Sequence, residues 1–226
     1  MLRKVIKKPH YPTVSLESNR TQTNKNRSVI ILLAGVPGTG KTTVGNGLQN
    51  RLGLSHRLST GFLRATIDSL IPESNARLLR KEAFAAYEET SHSKFPTGQQ
   101  ILDGCARQAN ILKPVFKSCV ARARTEGIGL IMEGSHFIPG IIDPYEFGAD
   151  LLCVLDVPDR EELKERAMSA NHKHRRWSDF DLSRLSILQD QLVYMANRNE
   201  LPIVINTDVE QSINHIVALL NKNTSM

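Results

Sequence analysis

The chain is poor in cysteine and has no long apolar run. Only Cys105, Cys119 and Cys153 occur among its 226 residues. Their number is odd, and they form neither a C-x-x-C pair nor a Cys/His ligand spacing, which argues against a disulfide framework and a zinc module. Reduced, mostly buried thiols are expected, as in a cytoplasmic protein. The longest apolar run, Val29 to Val36, is far too short to span a bilayer. The N-terminus is charged, but no apolar segment of a secretory signal follows it. Internal repeats and low-complexity tracts are also lacking. A basic domain surface is missing too, despite a formal charge of +6. Residues 1–27 hold seven Lys or Arg against one acid, Glu17, and account for the whole excess. The remaining chain is balanced, so the charge does not mark a nucleic-acid-binding domain.

With 40% hydrophobic and 23% charged residues, the chain has the composition of a soluble globular protein. Its length suits one α/β domain. Residues 1–27 are expected to form a basic, flexible tail, and residues 28–226 the folded domain.

The most informative stretch is Gly35-Val36-Pro37-Gly38-Thr39-Gly40-Lys41-Thr42, followed by Thr43. It fits G-x-x-x-x-G-K-[ST], the phosphate-binding loop. Its context also fits. Residues 28–34 are β-branched and apolar, as in a buried parallel strand, and Lys41 to Leu52 reads as a helix ended by Gly53. Glycines let the backbone approach phosphate oxygens. The loop N–H groups and the helix N-terminus face the anion. Lys41 places a charge at the β- and γ-phosphates, and the Thr42 hydroxyl suits Mg²⁺. ATP and Mg²⁺ are therefore expected at Gly35 to Thr43.

Further along, a short second strand ends at Ser59-Thr60, and Leu63 to Leu70 reads as a helix. In an open parallel sheet the strand C-termini face the ligand crevice, which places Ser59, Thr60 and Arg64 beside the loop. Arg64 at a helix start is disfavoured by the dipole, and binding of an anionic acceptor explains it. Polar residues 72–98, with a helical patch near Leu78 to Glu89, read as an insert over the substrate side. Gln99 to Arg124 is a long helical pattern whose apolar face includes Leu112, Phe116, Val120 and the cysteines, and Pro114 is expected to kink or break it. Residues 128–132 form a buried strand tipped by Glu133. That carboxylate can hold Mg²⁺ through water or accept the proton of an attacking hydroxyl. His136 follows in the same loop.

A fourth strand spans residues 150–157, with Asp159 starting the next helix. The cluster Asn171-His172-Lys173-His174-Arg175-Arg176-Trp177 then lies between two helices. It reads as a lid that folds arginine onto a transferring phosphoryl group, with Trp177 packing against it. Leu182 to Asn199 is a periodic helix carrying Arg184 near its start, residues 201–206 a fifth strand, and Val209 to Leu220 a final helix. The alternation predicts a three-layer α/β/α sandwich with a five-stranded parallel sheet and a helical lid.

Several of these segments resemble the P-loop kinases related to nucleoside monophosphate kinases, and more narrowly 2-phosphoglycerate kinase. The residues that carry the resemblance are the loop Gly35–Thr42, then Ser59-Thr60 with Leu63-Arg64, and Glu133-Gly134-Ser135-His136-Phe137-Ile138-Pro139-Gly140, close to the family's E-G-x-H-x-x-P-G. Gly104 and Gln108 match its G-x-x-x-Q, and Arg175-Arg176 through Arg184 and Gln189 to Asn206 match its C-terminal part. The resemblance implies phosphoryl transfer from ATP to 2-phosphoglycerate. Lys41, Glu133, Arg175 and Arg176 would then be catalytic, Thr42 and Glu133 would be near Mg²⁺, and Ser59, Thr60, Arg64, His136 and Arg184 would bind a small phosphorylated substrate. The family's S-T-D is Ser59-Thr60-Gly61 here, so an acid is missing, and Asp68, one turn beyond Arg64, is the nearest substitute. Alternatives are a kinase for another small acceptor (nucleotide, nucleoside or sugar) and a nucleotide-gated binding protein.

Overall fold

The computed structural model describes residues 28–91, 93–169 and 175–224. The expected basic tail, residues 1–27, and His172, Lys173 and His174 of the basic cluster lie outside the described residues.

Strand β1 (Ile30–Ala34) is buried along its whole length, which explains its unbroken apolar sequence. Ile30, Leu32 and Ala34 point to one core, and Ile31 and Leu33 to another. Four strands join it, β2 (His56–Ser59), β3 (Leu130–Gly134), β4 (Leu151–Asp156) and β5 (Ile203–Ile205), in the order β2-β3-β1-β4-β5 with every pairing parallel. Helices α1 (Lys41–Leu52) and α8 (Val209–Thr224) cover one face. The long helices α4 (Gly98–Glu126) and α7 (Asp179–Arg198) cover the other. The three-layer expectation is met. β1 lies between β3 and β4 although the chain leaves it for β2, so the crevice opens at the C-terminal end of β1.

The remaining elements are α2 (Thr60–Asp68), α3 (Glu73–Arg80), a 3-10 turn (Ala86–Glu89), the short α5 (Pro144–Phe147) and α6 (Arg160–Ala167). α2 starts three residues earlier than its apolar pattern suggests, because the Ser59 hydroxyl caps it by accepting from the Gly61 N–H. The insert is not one helix over Leu78 to Glu89. It is α3, an irregular stretch and the 3-10 turn.

Pro114 does not break α4, which runs as one helix of 29 residues. Pro114 and Asn110, whose carbonyl it leaves without an i+4 donor, are both exposed, so water can take that carbonyl. The opposite face, with Ile101, Cys105, Leu112, Phe116 and Val120 buried, holds the helix together. Cys105 and Cys153 are buried, and burial pushes both thiols up to about 12. Cys119, expected in the core, is only partly covered. No helix among the described residues is long and apolar enough to cross a membrane.

Candidate active site

The β1–α1 loop folds as its glycines require. Gly40 sits at φ 83°, and a Cβ there would collide with the Asn206 amide. That amide donates to the Thr39 carbonyl at 2.9 Å, tying the loop to the end of β5. From α7, Gln189 accepts from the Val36 N–H at 3.1 Å and donates to Leu155 O at 2.9 Å, tying it to β4. The Ser135 hydroxyl donates to Gly35 O at 3.1 Å. Three elements thus fix the loop backbone before any ligand arrives. Lys41 Nζ donates to Val36 O at 2.7 Å, curled back onto the loop. Burial pulls its ammonium down to about 8, against the opposing pull of Glu133, and Arg175 lowers it further.

Glu133 lies at the tip of β3, paired in register with Ser59 of β2 and Leu33 of β1. Its Oε1 accepts from Arg57 at 2.7 Å and from the Thr42 hydroxyl at 3.2 Å. Its Oε2 is buried and has no hydrogen-bond partner. A buried carboxylate oxygen left bare is costly unless a cation or water meets it. This atom and the Thr42 hydroxyl fit Mg²⁺. Such a site needs no cluster of protein acids, because Mg²⁺ keeps waters and takes the rest of its shell from phosphates.

A cavity of about 840 Å³ connects these groups to the acceptor side. Lys41, Thr42, Thr43, Glu133, Ser59, Thr60, Arg64, His136 and Arg175 all line it. The structure thus brings together most of the sequence-predicted residues. Arg64 donates to Lys81 O and lies 3.5 Å from the Glu82 carboxylate. Arg175 donates to Ala167 O at 2.7 Å and stacks over Trp177 at 4.6 Å, and Trp177 meets Phe84 edge-on at 5.2 Å. Phe84 also lines the cavity, so Arg175 and Trp177, at the described end of the basic cluster, pack against its wall.

Three expectations need correction. His136 is buried and neutral. Gln108 donates to Leu78 O at 2.6 Å and Lys81 O at 2.9 Å, which turns its Oε1 to His136 Nε2 at 3.0 Å. Nε2 therefore carries the proton, and Nδ1 accepts from the Thr60 hydroxyl at 2.8 Å. Burial and the nearby Arg64 charge push the imidazole down to about 3. His136 holds Thr60 and the insert in place and offers no cation to an acceptor. Arg184 does not line the cavity. It is buried between Glu88, Asp181 and the Tyr87 hydroxyl, and its guanidinium stacks on Phe180 at 4.5 Å. Its position near a helix start is explained by these two acids. Arg176 is exposed and also lies outside the cavity lining.

Sequence reasoning missed Arg57, Asn206 and the role of Gln108. A charged residue inside a four-residue strand was the available signal for Arg57. Gly104 and Gln108 become one device here: a Cβ at 104 would overlap the Tyr87 backbone, so glycine lets the 3-10 turn lie on α4 while Gln108, one turn on, satisfies the carbonyls of α3.

The sheet order, the loop and the crevice define the P-loop NTPase fold in the form shared by small-molecule kinases. No family model matches the chain. It is similar to curated 2-phosphoglycerate kinases. That of Pyrococcus furiosus is 28% identical over 192 residues, 84% of this chain and 63% of the relative. That of Thermococcus kodakarensis is 26% identical over 196 residues, 85% of this chain and 66% of the relative. The chain therefore spans about 63% of the length of the Pyrococcus relative. Among solved structures, TT1252 from Thermus thermophilus superposes with a TM-score of 0.51 at 18% identity, over 87% of this chain and 98% of that one. A shikimate kinase from Acinetobacter baumannii in complex with shikimate gives 0.50 at 16% identity, over 88% and 96%. At these identities the likeness is one of fold.

Proposed function

We propose that this chain is an ATP-dependent kinase that transfers the γ-phosphoryl group to the hydroxyl of a small phosphorylated hydroxy acid, 2-phosphoglycerate, giving 2,3-bisphosphoglycerate. The observation that carries the proposal is one cavity with a prebuilt phosphate loop at one end and Arg64 at the other. Similarity to 2-phosphoglycerate kinases supports the choice of acceptor.

In this reading the ATP phosphates lie on the loop N–H groups and the N-terminus of α1. Lys41 swings from Val36 O to the β- and γ-oxygens, and the anion restores its full charge. Thr42 and Glu133 would hold Mg²⁺, which when bound neutralises charge on the phosphates. Arg57 pairs with the Glu133 carboxylate at 2.7 Å and keeps it aimed. Arg175 stabilises the charge that spreads over the transferring phosphoryl group. Arg64 leaves its internal partners for the acceptor's anionic group, and Thr60, its hydroxyl oriented by His136, lines the floor between the two substrates. The cytoplasm, with its ATP and reduced thiols, is the setting this chemistry fits.

The test is ATP consumption with Mg²⁺ in the presence of 2-phosphoglycerate, 3-phosphoglycerate, glycerate, shikimate or a nucleoside monophosphate. Strong stimulation by 2-phosphoglycerate alone is expected. Stimulation by another acceptor would replace the substrate and leave the kinase reading. Absence of stimulation by every acceptor, with ATP still bound, would favour a nucleotide-gated binding protein.

A further inference from the structure

We infer that Glu82 orients the acceptor hydroxyl and takes its proton. The inference rests on the kinase reading above. Among the described residues, the carboxylates lining the cavity are Glu133 and Glu82. Glu133 is committed to the phosphate-loop side. Its Oε1 is shared by Arg57 and Thr42, and its Oε2 is the bare atom suited to a cation. Glu82 stands at the other end, in the irregular stretch between α3 and the 3-10 turn. It lies 3.5 Å from Arg64, is 46% exposed, and its charge also acts on Arg175. Arg64 is the cation an anionic acceptor would engage, so an acceptor seated on it lies against Glu82.

The other acids are accounted for. Asp68, the substitute suggested by sequence spacing, turns to Arg80 at 3.0 Å and does not line the cavity. Gly61 does line it, but nothing in the fold demands glycine there. A Cβ at 61 would meet only the Ser59 hydroxyl at 3.4 Å, an ordinary contact. The missing acid is therefore a chemical difference and not a steric one. In the step assigned to Glu82, the acceptor oxygen bonds to the γ-phosphorus while the bond from that phosphorus to the β–γ bridging oxygen breaks. The electron pair of the broken bond leaves with ADP, and the hydroxyl proton passes to the Glu82 carboxylate and then to solvent.

The experiment compares the wild-type chain, Glu82→Gln and the double variant Glu82→Gln/Gly61→Asp. Turnover is measured with Mg²⁺, ATP and 2-phosphoglycerate, and acceptor binding is measured by calorimetry with a non-hydrolysable ATP analogue. Loss of a positioned base lowers turnover of Glu82→Gln about 10²–10³-fold. Its affinity for 2-phosphoglycerate stays equal or rises, because Arg64 loses an internal competitor. Gly61→Asp, at the favourable N-terminal turn of α2, recovers about tenfold or more of the lost rate. Undiminished turnover in Glu82→Gln overturns the proposal and leaves Glu82 as a counter-ion of Arg64. A rate loss matched by an equal loss of acceptor affinity overturns it as well, as does a double variant without recovery. A wild-type chain that ignores 2-phosphoglycerate overturns the substrate reading alone. The same split between rate and affinity is then read on whichever acceptor of the panel is phosphorylated.

Discussion

The two ends of the cavity are built differently. At the phosphate-loop end, side chains from α7, the β3 loop and the end of β5 fix the backbone, and Lys41 leaves Val36 O when a ligand arrives. At the acceptor end, Arg64 is satisfied internally by Lys81 O and Glu82, and each contact must be exchanged for a ligand contact. The first arrangement is preorganised and suits a phosphate chain common to all nucleoside triphosphates. The second costs binding energy unless the acceptor repays every displaced contact, which is how a site rejects near relatives of its substrate.

The largest expected effect falls at the preorganised end. On the proposed function, Lys41→Ala removes a charge from the transferring phosphates, where catalysis is mostly positioning and electrostatics. We expect kcat to fall about 10²–10⁴-fold, with the fold intact by circular dichroism. Near-normal turnover would remove Lys41 from the mechanism and dissolve the contrast between the two ends.

Next comes the support of the acceptor end. His136→Ala deletes a buried ring and strands Gln108 Oε1 without its donor. Unfolding in urea should show a loss of about 2–4 kcal/mol. Acid gives a second readout. The folded imidazole is pushed down to about 3, so the unfolded chain binds the extra proton first as pH falls below 6.5. This stability is complete above pH 6.5 and is lost progressively toward pH 3. His136→Gln should therefore show a flatter stability profile between about pH 6.5 and 5 than the wild type. An unchanged slope would mean that the imidazole is not held neutral.

That contrast also explains what could be read from the sequence. At the loop end, backbone geometry dictates glycine at Gly40, which takes positive φ, and the lysine beside it brings the charge a phosphate needs, so the motif states the chemistry. The apolar alternation of β1 and the long period of α4 announce the layers in the same way. At the acceptor end the deciding residues lie far apart in the chain and follow no period. His136 reads as a candidate ligand until Gln108, 28 residues earlier, is seen to consume its second nitrogen. Arg184 reads as an anion binder until Glu88 and Asp181 are placed beside it. Glu82 gives no signal at all, because it sits in the irregular stretch of the insert. Pro114 misleads for a different reason: its effect depends on which face of α4 meets water.

A smaller effect should appear in nucleotide affinity at alkaline pH. Burial holds Lys41 at about 8 before ligand arrives, and the phosphates return it toward its ordinary 10.5. ATP binding then takes up a proton above pH 8, so its dissociation constant should rise by up to tenfold per pH unit from there. Calorimetry from pH 7 to 9.5 reads this directly. Lys41→Arg keeps its charge throughout and should give a flat profile.

The last comparison separates two neighbours in the sequence. Arg175 lines the cavity, is held by Ala167 O and stacks on Trp177, whereas Arg176 is exposed beyond the lining. A cation that meets the transferring phosphoryl group is worth far more than a solvated one, because the cavity has a lower dielectric and the side chain is already ordered. Arg175→Ala should lower kcat about 10–100-fold. Arg176→Ala should change it by no more than about twofold, the scale of a screened surface charge. Equal losses in the two variants would put Arg176 at the transferring phosphoryl group as well. Trp177, the chain's one tryptophan, would report any displacement of Arg175 from its stacked position as a change in fluorescence.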